Sequence, residues 1–150
     1  MKSGEVLSEL VFLGNRVTSF NLTTKTVKAK GQSASVAFDF DYNIKDIQRE
    51  GHNSFGLIDY IVTVKATVKK KVLFKIELVM EGAFSSETLD DDKFEEMVEV
   101  NGLITLSHLS RAYIQSVTAQ SGFNPPVRVP MININKLIEQ KARAVAPPKE

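Results

Sequence analysis

A chain of 150 residues with a formal net charge of +1 and no cysteine can bury about 68–70% of its unfolded surface as one domain, with no covalent or metal staple. The missing thiol excludes disulfides and thiolate chemistry, and the near-zero charge argues against a polyanionic partner such as nucleic acid. No apolar run approaches the roughly 18 residues of a membrane-spanning helix, and the opening MKSGEVLSEL, interrupted by Glu5 and Glu9, does not read as a signal peptide. The expectation is a soluble cytoplasmic protein with no membrane insertion.

In chain order, Glu5 to Phe20 groups Val6, Leu7, Leu10, Val11, Phe12 and Leu13 and is broken by Gly14-Asn15. It reads as a strand that bends or bulges at Gly14. Asn21 to Ser33 is polar and reads as a long connection. Val36, Phe38, Phe40, Tyr42 and Ile44 then alternate with Ala37, Asp39, Asp41 and Asn43, the pattern of a half-buried strand. Past a loop at Gly51-His52-Asn53-Ser54 two more alternating runs follow. One carries Ile58, Tyr60, Val62, Val64, Ala66 and Val68 on its dry side, the other Val72, Phe74, Ile76, Leu78 and Met80. Three such segments imply an antiparallel sheet, with a hairpin turn at Lys69 to Lys71. On the wet face Asp39, Asp41 and Asp59 are expected to pair with Lys65 and Lys75, each exposed pair contributing a few tenths of a kcal/mol.

Charge is unevenly spread. Glu87, Asp90, Asp91, Asp92, Glu95, Glu96 and Glu99 face Lys93 alone, while Lys65, Lys69, Lys70, Lys71 and Lys75 crowd the middle. Both runs read as solvated faces. The acidic run is expected to hold a short helix with Phe94, Met97 and Val98 inward. A long helix follows from Leu103 to Ser121, where Leu103, Leu106, Leu109, Tyr113, Ile114 and Val117 form a stripe about 140° wide. Its other face is Ser, Thr, Gln and Ala with Arg111 as the one full charge, which suits a second packing surface. Gly122 is placed for the left-handed residue that ends a helix and Phe123 for the contact covering the last turn. Asn124-Pro125-Pro126 forces an extended arm, and Asn133 caps a last helix whose dry side is Ile134, Leu137, Ile138 and Ala142. Residues 142–150 read as a disordered tail, leaving residues 1–141 as a single domain. Strands first and helices last give an α+β, two-layer domain: a four-stranded antiparallel sheet packed with a long helix, plus a proline-rich arm and a second C-terminal helix. The uncharged helix back and the apolar arm lack an obvious burial partner in one chain, as at a protein contact.

Catalytic chemistry finds little footing, and no enzyme, metal or cofactor is expected. His108 lies beside Ser107 and Ser110 on a helix with no carboxylate to orient its ring. Asp90-x-Asp92 begins like a calcium loop, but Phe94, Glu95 and Asn101 occupy the fifth, sixth and twelfth positions. The lysines near Lys70 lack interleaved aromatics on the wet face, which argues against nucleic acid.

The order of elements and the last third of the chain resemble the SecB family of export chaperones. The resemblance rests on Ile76-Glu77 through Glu81-Gly82-Ala83-Phe84-Ser85, on Arg111-x-x-Ile114-x-Ser116, and on Gly122-Phe123 through Val129-Pro130-Met131-Ile132-Asn133-Ile134, with a fainter match at Thr18-Ser19-Phe20. It implies a homotetramer, a dimer of dimers packed through the long helices, with His108, Arg111, Ala112, Gln115 and Ala119 at the interface. It also implies ATP-independent binding of unfolded polypeptides in grooves formed by Phe20, Leu22, Phe123, Val127, Val129, Met131, Ile132, Ile134, Leu137 and Ile138. Members of the family carry acidic residues flanking the Ser-Phe of the first strand, where the SecA motor docks; here Val17 and Asn21 stand there. The chain is near neutral where the family is acidic, and Thr105-Leu106-Ser107 replaces the proline that opens the family's long helix. The family also includes chaperones of a single client such as an antitoxin. Two other classes fit the residues alone: an adaptor for one partner, and a carrier of a small apolar ligand.

Overall fold

The computed structural model describes residues 2–5, 7–26 and 33–147. It contains strands β1 (Val11–Thr24), β2 (Ser35–Glu50), β3 (Asn53–Val68) and β4 (Lys71–Ser86), then helices α1 (Asp91–Gln120) and α2 (Ile134–Val145). The strands form one antiparallel sheet in the order β1-β4-β3-β2, with both helices on one face, as the α+β reading requires. Period-two alternation is the reason. Ile58, Tyr60, Val62, Val64 and Ala66 of β3, with Ile76, Leu78 and Met80 of β4, are buried beneath α1. The expected irregularity at Gly14 is present: φ is +150° there and the β1–β4 register slips between Phe12 and Gly14. β1 continues to Thr24, four residues into the expected connection, because Asn21 to Thr24 still pair with β4. Val6 and residues 27–32 lie outside the described residues.

α1 departs from the expectation of two helices. A single helix of 30 residues starts at Asp91, capped by the Asp90 carboxylate, which accepts the Lys93 N–H at 2.8 Å. Phe94 and Val98 carry the buried stripe of Leu103 and Leu106 back by two turns, while Asp91, Asp92, Glu95 and Glu96 face solvent. Acidic side chains in the first turn also suit the positive end of the helix dipole. The stripe itself is centred on residues that a hydrophobic count overlooks: Ser107, Ser110 and Thr118 are buried, whereas Leu109, Tyr113 and Val117 flank it half-buried. Small groups bring helix and sheet close. A Cβ on Gly82 would lie 3.0 Å from both Leu106 and Phe84. The helix ends as expected, in a Schellman motif: Gly122 has φ +88°, and Phe123 N–H donates to Thr118 O at 3.0 Å.

The expected Asp–Lys pairs on the open face of the sheet do not form. The register sets Lys65 directly opposite Lys75 and Asp59 opposite Glu81. Glu81, largely buried, instead accepts from Lys45 at 2.6 Å and from Arg16 at 2.8 Å, and Lys45 approaches Asp59 at 3.8 Å. Asp41 turns to α2. The hydrogen bond from Lys45, then that from Arg16, holds the Glu81 carboxyl below the usual glutamate range, against burial acting upward. A carboxyl whose pKa is lower folded than unfolded adds stability above its unfolded value and loses it as pH falls through the folded one. Glu81→Gln should therefore melt several degrees below the natural protein at pH 7, and the gap should close as pH falls below about 4.5. Asp59, pushed up chiefly by burial, acts in the opposite sense, and because the Glu81 charge adds to that upward push, Glu81→Gln relaxes it in part. A melting-temperature gap that stays constant from pH 7 to pH 3 would remove this role for Glu81.

Candidate functional site

The arm between the helices has more cover in one chain than its composition predicts. Its prolines keep it out of the sheet, so its backbone needs partners elsewhere, and α1 supplies them. Val127 N–H donates to Thr118 Oγ1 at 2.9 Å, and the Arg111 guanidinium donates to Val129 O at 2.8 Å. Val129 is thereby closed off at 3% exposure, while Met131, two residues on, stands 74% exposed. The Asn124–Pro125 bond at the start of the arm is cis.

α2 begins where the Asn133 carboxamide accepts the Lys136 N–H at 3.1 Å, the cap expected from the sequence. Leu137 and Ile138 face inward half-buried, but Ala142 is exposed and Lys141 takes the inner place expected for it. The Lys141 ammonium donates to Asp41 at 2.7 Å and stands 5.8 Å above the Tyr42 ring. That hydrogen bond holds the Asp41 carboxyl below its usual range. Tyr42 in turn donates to Glu99 Oε2 at 3.0 Å, and burial pushes its hydroxyl pKa up. One lysine thus joins α2 to the edge strand, and one tyrosine joins that strand to α1. Held in this way, α2 remains helical to Val145, past the boundary at 141 drawn from the sequence; residues 148–150 lie outside the described residues.

Between these elements lies a row of shallow hollows. One of about 310 Å³ opens between the back of α1 and the arm, walled by Ile104, His108, Arg111, Met131 and Ile132. Two more, of about 240 and 270 Å³, follow α2 along Phe40, Leu137 and Gln140. A fourth, of about 320 Å³, sits at the far end of α1 against Leu73, Phe74, Phe123 and Pro125. There the Phe74 and Phe123 rings meet edge to face at 4.9 Å.

Of the groove residues inferred from the sequence, Phe123, Met131, Ile132, Ile134 and Leu137 line these hollows. Phe20, Leu22, Val127 and Ile138 pack half-buried on the margin of the core, Phe20 edge to face with Tyr113 at 5.4 Å, and Val129 is inside it. The inferred interface residues His108, Ala112, Gln115 and Ala119 form an exposed stripe along α1, with Ile104 extending it at 42% exposure. Arg111 leaves that stripe to hold the arm. Phe40 and Phe74 line hollows although their alternation marked them as core. Only their positions, opposite α2 and beside Phe123, could have shown it. Among the described residues no group of three or more His, Cys, Asp or Glu side chains could hold a metal, and no helix is long and apolar enough to cross a membrane.

Comparison with known proteins places this architecture. Residues 17–145 match the family model described as SecB, preprotein translocase subunit SecB. A curated protein-export protein SecB from Herminiimonas arsenicoxydans is 29% identical over 93 residues, covering 61% of this chain and 56% of that protein. Another from Burkholderia vietnamiensis is 33% identical over 79 residues, covering 53% and 49%. The matching stretch spans about half the length of these relatives. Among solved structures, a SecB-like chaperone of Mycobacterium tuberculosis in complex with a ChAD peptide from an antitoxin superposes with a TM-score of 0.67 at 10% identity, over 83% of this chain and 91% of that one, so the fold is shared.

Proposed function

The chain belongs to the SecB family, and on that premise we propose that it is a cytoplasmic chaperone of protein export that holds unfolded or nascent polypeptides without ATP. The observation that carries this reading is the row of solvent-open apolar hollows along an arm whose prolines keep it out of the sheet. An extended client sets one or two apolar side chains into each hollow, at about 0.8 kcal/mol per buried methylene, while its backbone stays hydrated. No single contact is strong. Several along one chain act together, which gives retention without sequence specificity. The exposed stripe of α1 packs against a second copy around Ala112, Gln115 and Ala119, beyond the hollow that Ile104 and His108 wall, and two such pairs form a tetramer that multiplies the hollows offered to one client.

The test is aggregation of a chemically denatured model protein, followed by light scattering without nucleotide. A stoichiometric amount of the chaperone should suppress it. Met131→Asp should need about tenfold more protein for the same suppression, the equivalent of about 1.4 kcal/mol of lost contact. Undiminished aggregation with the natural protein removes the holdase reading.

A narrower second reading is favoured by the first strand. Val17 packs against the core opposite Met80 and Asn21 supplies no acid, and the β4 carboxylates on the open face beside Asn21, Glu77 and Glu81, are each paired with a cation. A chaperone of one client, uncoupled from SecA, fits that surface. A pull-down separates the two: one dominant partner supports the second reading, a broad set of unfolded chains the first.

A further inference from the structure

Positive charge is gathered at one end of the sheet. Lys65 and Lys75 face each other across β3 and β4, and the tight turn joining those strands is Lys69-Lys70, followed by Lys71. β1 ends at the same place, where Lys25 N–H donates to Leu73 O at 2.8 Å. Among the described residues the single ion pair in this group is Lys75 with Glu77, at 3.0 Å.

Hairpin formation alone does not favour these lysines. Lys69 and Lys70 have φ of +48° and +64°, the left-handed conformation that Asn-Gly adopts with least strain in a two-residue turn. Like charges directly opposite on neighbouring strands repel. A sequence required only to turn the chain would place neither feature here. The hollow walled by Leu73, Phe74, Phe123 and Pro125 opens at this end with Lys25 in its wall. The register slip at Leu73 sets Lys71 opposite Val68 on the helix side of the sheet, while Lys75, opposite Lys65, stands on the open side.

We propose that this end of the sheet selects client segments in which apolar residues are flanked by Asp or Glu. The inference rests on the reading that the hollows take unfolded polypeptide, and adds to it a class of client. The apolar residues enter the hollow, and the flanking carboxylates come within a Debye length, about 8 Å at physiological salt, of several ammonium groups at once. Each exposed pair is weak, but the lysines act as a group, and the repulsion between Lys65 and Lys75 is relieved when an anion arrives.

The experiment uses three peptides that share one unstructured core of Phe, Leu and Ser and differ in flanks of Glu, Gln or Lys, each carrying the same neutral dye, with binding read by fluorescence anisotropy. At 50 mM salt the Glu-flanked peptide should bind about five- to tenfold more tightly than the Gln-flanked one, and the Lys-flanked one more weakly than either. At 500 mM salt the three should converge. Lys65→Gln with Lys75→Gln should abolish the preference and leave the Gln-flanked affinity unchanged. Lys69→Asn with Lys70→Gly should raise the melting temperature by about 2–4 °C while lowering affinity for the Glu-flanked peptide alone. Equal binding of the three flanks, a preference for Lys flanks, or a preference that survives the Lys65 and Lys75 changes overturns the inference and leaves the chaperone reading in place. No binding even of the Gln-flanked peptide overturns both.

Discussion

Ala112→Glu combined with Ala119→Glu should break the proposed tetramer, with the light-scattering mass falling to half or less and the far-ultraviolet circular dichroism unchanged. Both positions lie on the exposed back of α1, in the stripe that runs from Ile104 through His108, Ala112 and Gln115 to Ala119. On an isolated chain the substitutions touch nothing, and glutamate is nearly as good a helix former as alanine. In a helix-to-helix contact they put two carboxylates from each chain into an apolar seam, at an effective penalty of several kcal/mol per unpaired buried charge. Arg111 is a poorer choice, although it lies near the same face, because its guanidinium holds the arm through Val129 O and its loss would disturb the hollows as well. A natural protein that already runs as one chain, or a double variant that keeps the full mass, removes α1 as the interface.

Phe94→Ala should lower stability by about 3–5 kcal/mol, the usual result of emptying a buried phenylalanine site, and the melting temperature by roughly 10 °C. Phe94 is fully buried, and its ring lies over Gly56, where an added Cβ would come within 3.3 Å of it. Glu95 and Glu96 beside it are exposed, and alanine at either should change stability by no more than about 0.5 kcal/mol. Thermal melts of the three variants check the contrast. If Phe94→Ala behaved like its neighbours, the first turns of α1 would be an appendage on the fold and not part of the core.

That contrast also shows how far the amino-acid sequence can be read. Counting charges sets Asp91 to Glu99 apart as a separate acidic segment. The physical unit is one helix, because Phe94 and Val98 stay in phase with Leu103 and Leu106, and four exposed acids do not interrupt a buried stripe. Ser107, Ser110 and Thr118 escape a hydrophobicity count for the converse reason. Their side chains are small enough for the close approach of helix and sheet, and Thr118 returns its hydroxyl to Ile114 O at 2.7 Å. On the open face of the sheet, single-strand alternation places Lys65 and Lys75 correctly, but not which residues face them. That depends on register, and register sets lysine against lysine.

Local signals were therefore enough for whatever depends on a few consecutive residues: the alternation of β3, of β2 from Phe38 and of β4 from Phe74, the irregularity at Gly14, the helix end at Gly122-Phe123, and the cap at Asn133. Each is set by backbone geometry and near neighbours, which the order of residues specifies directly. The same signals were not enough for Val36, which is exposed, or for Val72, which a register slip turns to the open side opposite Thr67. Tertiary structure alone decided which apolar groups remain open. Val129 and Met131 are similar in a list of residues, yet one is sealed and the other stands in solvent, because Arg111, eighteen positions earlier in the chain, binds the carbonyl of the first. Burial is a property of segments that meet in space, and for this protein the surface left uncovered by that meeting is the candidate site.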